Sequence, residues 1–178
     1  MSFQPEAIRA FEHAGWQRAA GGYEATFAHA TARYIEKLLD VARVARGRHV
    51  LDVACGPGQL AAAAAARGAT VHALDFSAAM VRIARDANPG VVVSEGDAER
   101  MPYQDDQYDA VVSSFGMHHV PRPAMALAEC RRVLVPGGVV GFTVWATPAE
   151  NIAWKLIFDT IDRHGDRSAA KAFPPAGA

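Results

Sequence analysis

Cysteine is scarce: Cys55 and Cys130 are the two thiols in 178 residues. That number cannot build a disulfide framework, and without a CxxC pair it offers no metal-ligand spacing. No histidine or basic residue flanks Cys55 to favour a thiolate, so both cysteines read as reduced packing residues rather than nucleophiles. Excess charge is lacking too. Lys and Arg number 18 against 19 Asp and Glu, for a net charge of -1, and the basic residues are scattered. Nothing in this balance calls for a nucleic acid or an anionic membrane as partner. No apolar run approaches the roughly 20 residues that span a bilayer. The opening MSFQPEAIRAFEHAGW has neither a basic n-region nor an apolar h-region, so the expected location is the cytoplasm.

What is present fits one globular domain, with 51% hydrophobic and 21% charged residues. Residues 1–44 carry helical spacing, with Ile8 and Phe11 and then Tyr34, Ile35, Leu38 and Leu39 recurring at three and four, broken by Gly21-Gly22. They read as a helical lid segment ahead of a domain at 45–178. From residue 48 short apolar runs alternate with helical ones, which argues for βαβ units and a parallel sheet. The expected strands are 49–54, 70–75, 91–97, 108–116 and 138–146, with helices at 59–68, after the capping Ser77, at 121–134 and at 152–164. The alanine run at 61–66 is helix, because Ala is the best helix former. The fold class is therefore α/β: a doubly wound, mainly parallel sheet with helices on both faces.

In such folds ligands bind at the carboxyl ends of the strands, beside the first. The stretch VLDVACGPGQLA places Ala54-Cys55-Gly56-Pro57-Gly58 there, where glycines allow a sharp turn and the next helix presents unpaired N–H groups. Gly56-x-Gly58-x-x-Ala61 also fits the dinucleotide fingerprint, so an NAD(P)-dependent oxidoreductase is the competing reading. Against it, Asp52 stands where that fingerprint is usually apolar, and Pro57 removes an N–H donor from the turn.

The ordered segments VLDVACGPG, HALDFSAAMVRIAR, EGDAERMPYQDDQYDAVVSSFGMHHV and RVLVPGGVVGF resemble the class I S-adenosylmethionine-dependent methyltransferases. Within that family they look most like the branch with the ubiquinone and menaquinone C-methyltransferases, over residues 45–146. The resemblance implies S-adenosyl-L-methionine as cofactor, S-adenosyl-L-homocysteine as product and a small-molecule methyl acceptor. It implies that Asp52 orients the glycine turn and meets the methionine amino group, with the backbone of Ala54, Gly56 and Gly58 along the ligand. Ala54 stands where the usual pattern has its first glycine. Asp75 would accept from both ribose hydroxyls, Phe76 and Met80 would pack on adenine, and Asp97 and Ala98 would meet its edge. Ser114 would contact the methionine end.

Methyl transfer from a sulfonium needs mainly an in-line nucleophile about 3 Å away. If the acceptor must first lose a proton, His119, or less directly His118, follows the fourth strand as a base. Tyr23, His29 and Arg33 would line a lid. Members of this family continue beyond the fifth strand with a strand pair that is missing here, leaving GVVGFTVWA as an apolar edge. Either a segment is omitted or another copy of the chain covers that edge. A cofactor-binding protein without turnover is the third reading.

Overall fold

The structure is a computed structural model that describes residues 3–23, 25–147 and 149–166. Its centre is one sheet of five parallel strands: β1 (His49–Val53), β2 (Thr70–Asp75), β3 (Val92–Glu95), β4 (Tyr108–Ser114) and β5 (Leu134–Thr143). Their order is β3-β2-β1-β4-β5, so the direction of winding reverses between β1 and β4. The register is continuous from Asp52 to Ala73 on one side and to Val112 on the other. Val50, Val71, Ala73, Ala110 and Val112 face one layer of helices, and Leu51, Val53, Leu74 and Val111 face the other side. These strands read as near-continuous apolar runs because both faces are covered.

The first layer consists of α3 (Ile35–Val41), α4 (Gln59–Ala66) and α5 (Ala78–Ala87). Leu38, Leu39, Ala61, Ala64 and Ala84 meet the sheet there, and the small alanine side chains let α4 lie close. Ile35, Leu38 and Leu39 of α3, which precede residue 45, pack in the core on this face of the sheet. The second face is covered by α6 (Pro123–Val133), through Ala126, Cys130 and Val133, and by Ala98 and Met101 of the loop after β3.

The remaining helices are α1 (Pro5–Ala19), the short α2 (Ala28–Ala32) and α7 (Ile152–His164). No helix among the described residues is long and apolar enough to cross a membrane. Ser77 caps α5 as the sequence predicts, its hydroxyl accepting from Met80 N–H. The fifth strand starts earlier than predicted. Pro136 and Gly137 disfavour a strand at 135–138, yet pairing with β4 runs from Tyr108↔Leu134 to Ala110↔Val139 across a bulge, where Gly137 takes φ +81°. Among the described residues β5 is the sheet edge, with Val140 and Phe142 exposed.

Candidate functional site

The carboxyl ends of β1, β2 and β4 meet where the winding reverses, and the two turns leaving β1 and β4 are both strained. Ala54 has φ +55° and Phe115 has φ +53°, a left-handed conformation that a bulky side chain rarely adopts. Gly116 follows Phe115 because nothing larger fits: a Cβ there would lie 2.5 Å from Ala54 Cβ and 2.9 Å from Ser113 Oγ. Gly116→Ala is expected to cost about 2 kcal/mol and lower Tm by about 4–8 °C. Adding Ala54→Gly removes the clashing atom and should restore part of the loss; a thermal melt of the single and double variants that shows no recovery would assign the cost elsewhere.

The glycine turn itself is held by Asp75, not by Asp52. Asp75 Oδ2 accepts from Gly56 N–H at 2.8 Å and Oδ1 accepts from Ser77 N–H at 2.9 Å. Burial pushes the Asp75 carboxyl up from its usual range, against the pull of the Ser77 and Gly56 amides. The Phe76 amide adds a further interaction, and the carboxylate oxygens retain capacity to accept from a ligand beyond these amides.

Asp52 is 1% exposed, and neither of its carboxylate oxygens makes a hydrogen bond of ordinary geometry. Strand alternation points it with Val50 toward the helix layer, where it meets the Ala61 amide in the first turn of α4. Burial pushes its carboxyl well above the usual range, the nearby Asp75 adds to this, and the Ala61 amide of α4 opposes it. Ser114 Oγ is a second buried polar atom lacking a partner. Both residues border one narrow cavity together with Ala54 and Gly56. A Cβ on Gly56 would meet nothing within 4 Å, so the backbone there is open to close approach.

Adjoining cavities carry the remaining expected residues. Phe76 and Met80 lie beside Gly56, Asp75 and Ser114 in one, and Asp97 and Ala98 lie beside Asp75 and Phe76 in another. Gly58 does not face this space. Its φ of +88° turns the chain into α4, and a Cβ would sit 3.2 Å from Ala84 Cβ and 2.6 Å from Asn88 Nδ2, so its role is packing against α5. Cys55 is buried, and burial followed by the charges of Asp52 and Asp75 holds its thiol well above the usual range, which suits packing.

Helix α1 supplies residues that the sequence reading missed. Arg9 donates to Asp97 Oδ2 and, at 2.7 Å, to Glu99 Oε2. Glu99 also accepts from Arg122 N–H at 2.8 Å and Arg122 Nε at 2.6 Å. Despite its burial, these arginines hold the Glu99 carboxyl below its usual range. Asp97 thus borders the cavity as half of an ion pair, its other oxygen accepting from Glu99 N–H. Further along α1, Gln17 Oε1 accepts from Ser77 Oγ and Ala79 N–H, and His13 packs edge-on to Phe76 at 5.5 Å. Arg9, Glu12, His13, Trp16 and Gln17 recur at i, i+3, i+4, i+7 and i+8 and so form one helical face. That spacing was the available signal. Phe11, one of the apolar residues that mark the helical spacing, is 37% exposed.

Of the lid residues expected, Tyr23 borders the site and stacks edge-on with Trp16 at 5.8 Å, whereas His29 and Arg33 are exposed and border no cavity described here. His119 borders the space, its Nδ1 3.0 Å from Glu12 Oε2 and its ring 4.9 Å from Trp16. The His118 ring packs against it at 4.0 Å with a 44° tilt; partial burial, then the adjacent His119, push its imidazole down to about 4.

Beyond His119 opens a larger cavity of about 370 Å³. Its walls are aromatic: Trp16, Tyr23, Phe27, Phe115, Trp145, Trp154 and Phe158, with Phe115 stacked on Trp145 at 4.2 Å. It shares Trp16, Tyr23, Phe115 and His119 with the cavity beside Asp75 and Ser114.

A protein family described as "Methyltransferase domain" matches residues 51–142. The chain is 40% identical over 108 residues to a demethylmenaquinone methyltransferase of Renibacterium salmoninarum, covering 61% of this chain and 46% of that one. It is 39% identical over 141 residues to a ubiquinone/menaquinone biosynthesis C-methyltransferase of Cupriavidus metallidurans, covering 74% and 58%. The chain spans about half the length of the curated relatives it matches. Among solved structures it is similar to a phosphoethanolamine N-methyltransferase of Haemonchus contortus, with a TM-score of 0.70, 17% identity and coverage of 81% and 34%. At that identity the likeness shows the fold alone.

Proposed function

Since the chain belongs to the methyltransferase-domain family, we propose that it binds S-adenosyl-L-methionine and transfers the methyl group to a small-molecule acceptor. The observation that carries this reading is the set of buried polar atoms without a hydrogen bond of ordinary geometry, the Asp52 carboxylate oxygens and Ser114 Oγ, behind an open glycine turn at the point where the winding reverses. A buried polar group without a partner is costly, so a ligand that supplies one is bound preferentially.

The residues fit that cofactor. Asp52 would receive its ammonium group, which compensates a buried carboxylate, and Ser114 offers a hydroxyl to the same end. The free lone pairs of Asp75 suit vicinal ribose hydroxyls. Phe76 and Met80 supply apolar surface for a base, and Asp97, still able to accept beside Arg9, suits an exocyclic amine. When bound, the cofactor supplies a sulfonium methyl whose transfer leaves a neutral thioether. The chain's own contribution would then be to position the acceptor and limit water, a task to which the aromatic walls of the cavity beside His119 are suited. His119 would take the acceptor's proton where it has one to lose. An NAD(P) enzyme is disfavoured because Pro57 removes a turn donor and the acid Asp52 stands behind it.

Calorimetric titration tests the reading. S-adenosylhomocysteine is expected to bind and NADH is not; binding of NADH alone would overturn it. Methyl transfer to a panel of phenols, quinols and amines then separates turnover from mere cofactor binding.

A further inference from the structure

We propose that Glu12, on α1, is a positioning residue that fixes which nitrogen of His119 is available to take a proton from the acceptor; this rests on the methyl-transfer reading above. The two residues are 107 positions apart in sequence and meet through Glu12 Oε2 and His119 Nδ1 at 3.0 Å. An ionised carboxylate only accepts, so the hydrogen of that contact sits on Nδ1 and the lone pair of the neutral ring is left on Nε2. Three further contacts hold the ring. Trp16 Nε1 donates to the same Glu12 oxygen at 3.2 Å and packs edge-on against the imidazole. The His118 ring packs against it, tilted by 44° at 4.0 Å, and His119 N–H donates to Gly116 O at 3.1 Å.

This places an oriented base where it is needed. His119 borders both the cavity beside Asp75 and the aromatic one, and Nδ1 is committed to Glu12, so Nε2 is the nitrogen that remains for a ligand between them. The acceptor class follows: a flat apolar molecule bearing an O–H, N–H or acidic C–H. In the step, the acceptor's bond to hydrogen breaks and the proton goes to Nε2. The freed electron pair forms the new bond to the methyl carbon, and the pair of the broken carbon–sulfur bond stays on sulfur. Glu12 touches neither reactant; it acts through His119. Arg9 ties the same helix to Asp97 and Glu99, so the helix that carries Glu12 is held against the loop after β3 as well.

The decisive readout needs no cofactor. Long-range ¹⁵N–¹H correlation spectra of the ligand-free protein should show His119 as the Nδ1–H tautomer. Glu12→Ala should move it toward the Nε2–H form that free imidazole prefers, whereas Glu12→Gln, whose amide oxygen still accepts, should retain the wild-type pattern. With the best acceptor from the phenol and quinol panel, Glu12→Ala should lose at least about tenfold in kcat with little change in acceptor KM, and Glu12→Gln should recover most of it. S-adenosylhomocysteine affinity should stay within about threefold of wild type in both. An unchanged tautomer in Glu12→Ala, an unchanged kcat, or S-adenosylhomocysteine binding without turnover of any O–H, N–H or acidic C–H acceptor would overturn the proposal. Failure of the wild type to bind S-adenosylhomocysteine would instead overturn the reading on which it rests, leaving the tautomer result to stand for the pair alone.

Discussion

Asp52→Asn is expected to raise thermal stability at pH 7 and to weaken S-adenosylhomocysteine binding by at least about 30-fold. Both effects have one cause. Asp52 is buried with neither carboxylate oxygen hydrogen-bonded, so its ionised form costs folding free energy that a neutral isostere does not. Relief of about 1–3 kcal/mol corresponds to a rise of several degrees in Tm for a chain of this size. The same charge is what an ammonium ligand would pair with in a low-dielectric setting, and losing one partner of a buried charge pair costs about 2–5 kcal/mol of binding. A function-bearing residue that destabilises its own fold is the expected pattern at a binding site.

The pH dependence has a definite sign. Burial raises the folded-state pKa of Asp52 above its unfolded value of about 3.9, so the folded protein holds this proton to higher pH than the unfolded chain. The stabilisation that results is full below about pH 3.9 and is lost as pH rises through the folded-state value. Melts between pH 4 and 8 should therefore show Asp52→Asn gaining on the wild type with rising pH, and the gap should close toward acid. A constant gap, or one that widens in acid, would remove the buried charge as the cause.

The second large effect concerns the neighbouring acid. Asp75→Ala should lower Tm by about 4–8 °C and S-adenosylhomocysteine affinity by at least about tenfold. Truncation strands the N–H groups of Gly56 and Ser77, at about 1–3 kcal/mol each, while removing a buried carboxyl offsets part of that, for a net loss of about 2 kcal/mol. The affinity loss has two sources: the acceptors proposed for ribose disappear, and the turn they anchor loosens. Asp75→Asn, which keeps one acceptor oxygen, should fall between wild type and Asp75→Ala in both measurements. Thermal melts and calorimetry on the three proteins check this. Wild-type affinity in Asp75→Ala would rule out the ribose assignment, and a wild-type melt would rule out the tether.

The opposite outcomes for these two acids show where sequence reading reaches its limit. Both stand at or near the carboxyl ends of adjacent strands, and both border the site. Which one ties the glycine turn depends on strand alternation and on the fall of the backbone at Ala54, neither of which spacing reveals. Ala54 itself is an alanine in a left-handed conformation, tolerated because Gly116, 62 residues later, leaves room for its Cβ. Gly58 carries the fingerprint spacing yet serves packing, since its positive φ and the approach of Ala84 account for it.

The sequence by itself determined the Rossmann-like sheet and the end of it at which the candidate site lies. Alternating apolar and helical periods have one compact solution, in which parallel strands are buried on both faces and the glycine turn falls beside the reversal of winding. It also put Asp52, Asp75, Asp97 and Ser114 at that end of the sheet, because strand ends are set by local pattern, and the structure spreads them over three adjoining cavities. Only the tertiary structure decided what closes those cavities. Helix α1 has no buried residue and a weak apolar stripe, so hydrophobic periodicity could not show that its polar face carries Arg9, Glu12 and Gln17 onto the loops after β2, β3 and β4. Likewise the aromatic cavity gathers Trp16, Phe115, Trp145 and Trp154 from separate parts of the chain, a juxtaposition that packing creates and that no local spacing encodes.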